Sequence, residues 1–169
     1  IPDGVTNIGG FAFWQCIRLQ NFIGGRNIVN YGDMAFTDCF MLSTIEISRK
    51  AESIGYGMFY SCQSLTSIDF PDSVVSFGYG VFYGCSKLAS VKLSENTPLI
   101  GNNTFSKCYQ LTSIKIPDSV VGIEYFAFQS CIKLSQITFG TGLKYISDFA
   151  FSLCQGLQRL EFPDGLQEI

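Results

Sequence analysis

The amino-acid sequence predicts a repeat solenoid, in which similar coils of chain stack one on the next. Seven cysteines recur every 23 residues without an insertion or deletion. A phenylalanine stands three residues before every cysteine, and a leucine stands three residues after it. Residues that recur at one spacing are typical of a stacked scaffold rather than of a single active site. The cysteines are Cys16, Cys39, Cys62, Cys85, Cys108, Cys131 and Cys154.

The elements of one repeat follow from positions counted from its cysteine as zero. Polar residues at +5 and +7 alternate with apolar residues at +6 and +8, as in residues 67–70, which is typical of a half-buried strand. A turn follows at Pro71-Asp72-Ser73, because proline fixes φ and the polar residues accept tight geometry. Apolar residues at +12 and +15, such as Val74 and Phe77, predict a second, shorter extended segment. Small or apolar residues from −4 to +3 have helical spacing and predict a short helix or 3₁₀ turn.

Composition and length limit the domain count and the classes of partner. Residues 1–169 are predicted to form a single solenoid, an uncapped fragment of a longer array whose uncovered apolar ends favour end-to-end self-association. The net charge of −3 provides no electrostatic drive towards nucleic acid or an anionic membrane. No apolar run approaches the roughly 18 to 20 residues that cross a bilayer, so no membrane insertion is expected in this segment.

The repeat motif carries a family resemblance. Leu-x-x-Ile-x-Ile/Phe-Pro-Asp-Ser-Val, followed by Ile-Gly-x-x-Ala-Phe-x-x-Cys, resembles the BspA-like, or Treponema pallidum type, leucine-rich repeats over the whole chain. The best matches are residues 62–85 and 108–131, where Glu124 replaces the usual glycine. Departures lie mainly in the first two repeats, where Gly24 takes a strand-core position and charged residues replace the Pro-Asp-Ser turn: Arg26, Arg49 and Lys50.

The resemblance implies both an architecture and a role. The expected fold is a right-handed leucine-rich repeat coil of about seven 23-residue repeats, with a parallel β-sheet on the concave side and short helices or 3₁₀ turns on the convex side. The family resemblance also implies a cell-surface or secreted location in an adhesin that contacts host matrix or another cell. It implies no catalytic residues and no cofactor.

Three interpretations of the cysteine ladder compete. Equivalent cysteines in successive coils lie at least about 4.8 Å apart with parallel Cα–Cβ vectors, whereas a disulfide needs Cβ atoms about 3.8 Å apart. A zinc site is disfavoured, because the chain has no histidine and no close Cys-x-x-Cys pair. We therefore predict small, buried, free thiols and no metal site.

Catalysis is not expected either. Without histidine there is no Ser-His or Cys-His nucleophile pair, and a buried thiol lacks an activating cation. Glu46 and Asp69 project from neighbouring predicted strands and could act as a glycosidase acid pair. Two solvated surface acids are the favoured interpretation. The chain is therefore predicted not to be an enzyme.

A binding surface is the favoured functional hypothesis. Residues at +5 and +7 of each strand should point away from the core and form two columns along the solenoid. They vary between repeats while the core residues do not, as on a recognition surface for a protein or glycoprotein. The alternative is a structural spacer that displays another domain and has no ligand of its own. The predicted ligand-binding residues are Thr44, Glu46, Ser67, Asp69, Ser90, Lys92, Ser113, Lys115, Gln136 and Thr138.

Repeated tyrosines form a second candidate surface. Tyr60 and Tyr83 share position −2, and Tyr56 and Tyr79 share position −6. Exposed aromatic stripes can supply contact area for a protein or a sugar. Packing between neighbouring coils is the alternative, and we favour it because tyrosine is often partly buried.

Overall fold

The computed structural model describes residues 1–169 and confirms the solenoid. Six coils each supply a three-residue and a two-residue strand, and each strand pairs in parallel with a strand 23 residues away, whereas the repeat that begins at Cys154 contributes only an isolated bridge between Glu168 and Tyr145. The strands are β1 (Asn7–Ile8), β2 (Asn21–Ile23), β3 (Asn30–Tyr31), β4 (Thr44–Glu46), β5 (Ser53–Ile54), β6 (Ser67–Asp69), β7 (Ser76–Phe77), β8 (Ser90–Lys92), β9 (Leu99–Ile100), β10 (Ser113–Lys115), β11 (Gly122–Ile123), β12 (Gln136–Thr138) and β13 (Tyr145–Ile146).

The strands form two ladders along the solenoid. The three-residue strands pair as β2–β4, β6–β8 and β10–β12. The two-residue strands form sheets in the order β1-β3-β5-β7 and β9-β11-β13. The register is constant, so Ser67 pairs with Ser90 and Ser113 with Gln136. Equivalent positions of successive coils therefore lie side by side, as the 23-residue period predicts.

The core is a stack of repeated apolar side chains. The phenylalanines at position −3 stack on one another from Phe13 to Phe151, with ring centroids 5.0 to 5.9 Å apart and interplanar angles of 7 to 20°. The leucines at +3 from Leu42 to Leu134 are fully buried beside them. Each coil thus covers the apolar side of its neighbour, which a single coil could not bury alone.

The cysteines are free, and five of them are buried, as predicted: Cys39, Cys62, Cys85, Cys108 and Cys131. Their sulfur atoms have a role that the sequence did not suggest. From Cys39 onward, each Sγ donates a hydrogen bond to the phenylalanine carbonyl oxygen of the preceding coil, at 3.0 to 3.3 Å. Cys16 has no preceding coil within the 169 residues and is exposed. The thiols therefore connect coils by hydrogen bonds as well as filling space.

The prediction of short helices or 3₁₀ turns is wrong in its helical alternative: no helix forms, and the segment consists of single turns closed by hydrogen bonds such as that from Cys39 N to the Phe36 oxygen at 3.2 Å. In all seven repeats the residues at −5 and −1 have positive φ, for example Met34 and Asp38. A left-handed residue at both positions interrupts any helical run. The amides at −5, −3 and −1 donate instead to the next coil, as Phe59 N does to the Val81 oxygen at 2.9 Å. The convex side is thus linked between coils by backbone hydrogen bonds.

Replacing a left-handed leucine by glycine should stabilise the fold. Leu153 has a φ of 61° and a 60% exposed side chain. Relief of the left-handed conformation is worth about 1–2 kcal/mol, and the greater unfolded-state freedom of glycine offsets about 0.5–1 kcal/mol. Urea denaturation should therefore show Leu153→Gly to be more stable by roughly 0.5–1 kcal/mol. An equal gain from the control Gln158→Gly, at an exposed position without positive φ, would contradict this explanation.

Candidate binding face

The candidate site is the outer surface of the three-residue strands, which we call the strand face. It consists of positions +5 and +7 of the six three-residue strands, β2, β4, β6, β8, β10 and β12. All of these side chains are exposed, including the ten predicted ligand-binding residues. The residue between them in each strand, such as Ile68 or Ile114, points inward against the core. The strand face comprises Asn21, Ile23, Thr44, Glu46, Ser67, Asp69, Ser90, Lys92, Ser113, Lys115, Gln136 and Thr138.

Charge on the strand face is ordered along the solenoid. In the +7 column, two acids, Glu46 and Asp69, precede two bases, Lys92 and Lys115. The register of β6 and β8 places Asp69 beside Lys92. Lys115 Nζ lies 2.8 Å from Glu95 Oε1, and this hydrogen bond raises the pKa of Lys115. Both partners are exposed, so the ion pair adds little stability and can exchange for another.

A groove of about 850 Å³ occupies the early coils of the strand face. Four of the predicted residues line it: Thr44, Glu46, Ser67 and Asp69. Its other lining includes three basic residues, Arg26, Arg49 and Lys50, none of which forms an ion pair. The groove therefore offers both carboxylates and cations to a ligand that carries charges of both signs.

The three basic groove residues were not predicted as site residues. The sequence marks them only as departures from the turn at positions +10 and +11. The structure shows why that turn belongs to the surface: the contact between Lys115, at +7, and Glu95, at +10 of the preceding coil, brings the two positions together. Charged residues in place of the Pro-Asp-Ser turn were the signal that could have identified them.

Aspartates retained in the turn serve the fold. Asp72 Oδ1 accepts a hydrogen bond from Glu95 N at 3.0 Å, and Asp118 Oδ1 accepts one from Thr141 N at 2.8 Å. The second contact, with a further bond from the Thr141 hydroxyl, lowers the pKa of Asp118. These carboxylates hold the equivalent turn of the next coil and are less available to a ligand than Glu46 and Asp69.

The tyrosine surface is largely a packing feature. Tyr60 and Tyr83 stack with centroids 4.6 Å apart at 11°, and both are partly buried. Lys107 Nζ donates a hydrogen bond to the Tyr83 hydroxyl at 2.6 Å and also lies over its ring. Tyr56 and Tyr79 are more exposed, at 44% and 47%. The first pair matches the packing interpretation, while the second leaves aromatic surface in contact with solvent.

The chemistry available to the buried thiols is limited. Burial raises the pKa of Cys39 to about 11, and it also raises the pKa of Cys62, Cys85 and Cys108. Thiols with such pKa values are protonated at neutral pH and are poor nucleophiles. No group of three or more Cys, Asp or Glu side chains is arranged to hold a metal ion.

The fold is shared with solved bacterial proteins. The chain is 32% identical to a leucine-rich repeat protein from Bacteroides ovatus, with a TM-score of 0.92 over 98% of this chain and 43% of that one. It is 28% identical to the T. pallidum leucine-rich repeat protein, with a TM-score of 0.86 over 92% of this chain and 74% of that one. For a leucine-rich cell surface protein from Faecalibacterium prausnitzii the identity is 27% and the TM-score 0.67, over 99% of this chain and 52% of that one.

The family follows from the repeats themselves. No curated protein sequence matches the chain significantly. A model of the BspA type leucine-rich repeat region, which holds six repeat copies, matches residues 1–109 and again residues 75–169. These two matches together span all the coils described above, and their motif is the one that the repeat predicted. The chain belongs to the BspA type leucine-rich repeat family.

Proposed function

We propose that the chain is a protein-binding module of a cell-surface protein, which contacts a protein or glycoprotein of host matrix or another cell through the strand face. The strand face carries the proposal: its twelve side chains are exposed and vary between coils, while the residues beneath them repeat. A rigid scaffold with a variable outer surface is the arrangement that solenoids use for recognition. The strand face residues are therefore the proposed ligand contacts.

Family membership supports a non-enzymatic role. Leucine-rich repeat domains are generally protein-interaction or structural modules, and the family is generally non-enzymatic. The unpaired acids and bases of the groove favour a partner with charges of both signs, as protein surfaces have. The net charge of −3 again disfavours nucleic acid. A protein ligand thus fits the electrostatics better than a polyanion.

Surface location is supported by a solved relative. The F. prausnitzii protein is described as a leucine-rich cell surface protein, and this chain spans about half of its length. The elements of the chain are short strands joined by turns, and none of them is a membrane-spanning helix. A secreted or surface-displayed location agrees with an adhesin function. Apolar residues whose equivalents are fully buried in inner coils are only partly buried in the end coils, as at Phe13 and Leu157, which supports the proposed end-to-end self-association.

The test is binding of the purified chain to a panel of host matrix proteins and glycoproteins. We expect saturable binding that Lys92→Glu/Lys115→Glu weakens at least about tenfold, because both changes reverse charge on the strand face. Lys87→Glu/Lys133→Glu is the matched control, since it changes net charge equally at positions outside the strand face. Circular dichroism should be unchanged in both variants. An equal loss of affinity in both variants would mean that net charge, and not the strand face, causes the loss. No binding by the wild-type chain to any protein of the panel would favour the structural spacer.

A further inference from the structure

The charge order of the strand face is antisymmetric about its centre. Along the +7 column the signs run negative, negative, positive, positive through Glu46, Asp69, Lys92 and Lys115. The point of reversal lies between the paired strands β6 and β8. A surface with this order is complementary to itself when one copy is turned end for end, because each acid then meets a base.

A twofold axis parallel to the strands, running between β6 and β8, generates that arrangement. It places Glu46 opposite Lys115 of the second copy and Asp69 opposite Lys92 of the second copy.

The same axis pairs the +5 column with itself, with Ser67 facing Ser90 of the other chain. Outward from there it pairs Thr44 with Ser113 and Asn21 with Gln136, so side chains able to form hydrogen bonds meet throughout that column. A contact of this kind is isologous and closes as a dimer.

We propose that the strand face binds a second copy of this chain in an antiparallel, face-to-face dimer held by these charge pairs. The inference rests on the proposed function, in that it uses the same face for protein recognition and names the chain itself as a partner. The longest charged side chains of the strand face, Lys92 and Lys115, lie in β8 and β10, next to the axis, and can reach across to the second copy.

Neighbouring charges do not oppose the arrangement. Lys115 can exchange its exposed contact with Glu95 for Glu46 of the second copy. Asp72 and Glu95 would face each other across the axis as like charges. One oxygen of the Asp72 carboxylate, however, accepts a hydrogen bond from the Glu95 amide at 3.0 Å, which partly offsets its charge. Arg49 at the same turn position faces Asp118 of the second copy, which is opposite in charge, but the Asp118 carboxylate remains bound to Thr141 and adds little to the pairing.

The expected dimer is weak and sensitive to salt. Six strands spaced about 4.8 Å apart form a narrow strip that buries less than the roughly 800 Å² per partner of a standard interface. Exposed charge pairs are screened as ionic strength rises. Sedimentation equilibrium of the wild-type chain from about 10 µM to about 1 mM should therefore show a monomer–dimer equilibrium. The Kd should rise at least about tenfold between about 0.05 M and 0.5 M NaCl.

A charge-swap experiment tests the pairing directly, without any other ligand. Glu46→Lys/Asp69→Lys makes the charged column wholly positive, and Lys92→Glu/Lys115→Glu makes it wholly negative. Each variant alone should be monomeric, because like charges then meet across the axis, whereas an equimolar mixture should form heterodimers. The control Lys87→Glu/Lys133→Glu should dimerise as the wild type does.

Several outcomes would overturn the dimer. These are a wild-type chain that is monomeric at all concentrations, a mixture that remains monomeric, and a control as impaired as the strand-face variants. Open-ended oligomers that form equally in the wild type and in the charge variants would indicate end-to-end association instead. A wild-type chain that binds the matrix panel but forms no dimer would refute this inference and leave the proposed function standing. A wild-type chain that dimerises but binds no member of the panel would refute the proposed function and leave the dimer standing.

Discussion

Phe59→Ala should lower the free energy of unfolding by about 3–5 kcal/mol. Phe59 is fully buried and stacks on Phe36 at 5.9 Å and on Phe82 at 5.6 Å. Truncation removes both ring contacts and leaves a cavity between coils that the fixed backbone ladders cannot readily close. Because each coil contacts only its neighbours, we also expect two unfolding steps, one for each side of the cavity. Guanidinium denaturation followed by circular dichroism measures both effects.

The matched control is the last ring of the same ladder. Phe151 is partly buried, and Phe128, at 5.2 Å, is its only neighbour within the ladder. Phe151→Ala should therefore cost clearly less than Phe59→Ala and should leave unfolding in one step. Equal losses at the two positions, or cooperative one-step unfolding of Phe59→Ala, would contradict a continuous ladder whose interfaces couple the coils.

Stability should fall steeply above about pH 9, because the buried thiols ionise only when the protein unfolds. The ordinary thiol pKa is 9.0, and burial raises that of Cys39 to about 11 and those of Cys62, Cys85 and Cys108 as well. Because the thiol pKa is raised in the folded state, the buried thiols contribute their full share of the free energy of unfolding below pH 9. This contribution is lost as the pH rises from 9 towards the folded-state pKa. Each such thiol contributes a loss of about 1.4 kcal/mol per pH unit until its folded pKa is reached.

Thermal melts from about pH 7 to about pH 11 measure this loss, and alkylation identifies its cause. At neutral pH, iodoacetamide should modify exposed Cys16 rapidly and buried Cys85 slowly. Modification of the buried thiols should accelerate in the pH range in which the melting temperature drops. A melting temperature that stays flat through about pH 10.5 would refute the contribution of the thiols. Rapid alkylation of all seven cysteines at neutral pH would refute their burial.

The fold was largely predictable because the 23-residue period fixes which residues lie side by side. Once Phe59 and Phe82 are equivalent, stacking is the arrangement that buries both, and the alternation around Ile68 then determines which side chains face outward. The cysteines were predictable for the same reason. Parallel stacking separates equivalent thiols too far for disulfides, and burial follows from the apolar residues on either side.

The convex turns were not predictable from local pattern. Helical spacing between positions −4 and +3 reflects burial of those side chains, but left-handed residues at −5 and −1 prevent a helix. Eleven of these left-handed residues are not glycine, and they include Phe126, Leu153 and Lys107, which ordinarily disfavour positive φ. Backbone hydrogen bonds to the next coil hold these residues in the left-handed conformation. Because backbone groups form the bonds, the type of residue at these positions does not reveal them.

The strand face was predicted in outline, and its groove was not. Alternation along β4 and β6 identifies Glu46 and Asp69 as outward-facing, and the structure agrees. The basic groove residues Arg26 and Arg49 line the groove because the turn of each coil lies close to the strand. That closeness is a tertiary contact between coils. The period predicts which positions are neighbours, but it does not give the distance between adjacent columns.

The measurement that most directly tests the strand face as the binding surface is a titration with the tightest-binding matrix protein. It compares wild type, Ser67→Trp/Ser113→Trp, and the control Gln63→Trp/Gln155→Trp, whose positions are exposed and lie outside the strand face. The bulky indoles of the first variant should obstruct the strand face and weaken binding at least about tenfold, while the control binds as wild type does. Equal affinity for all three proteins, or no saturable binding by wild type, would contradict recognition through the strand face.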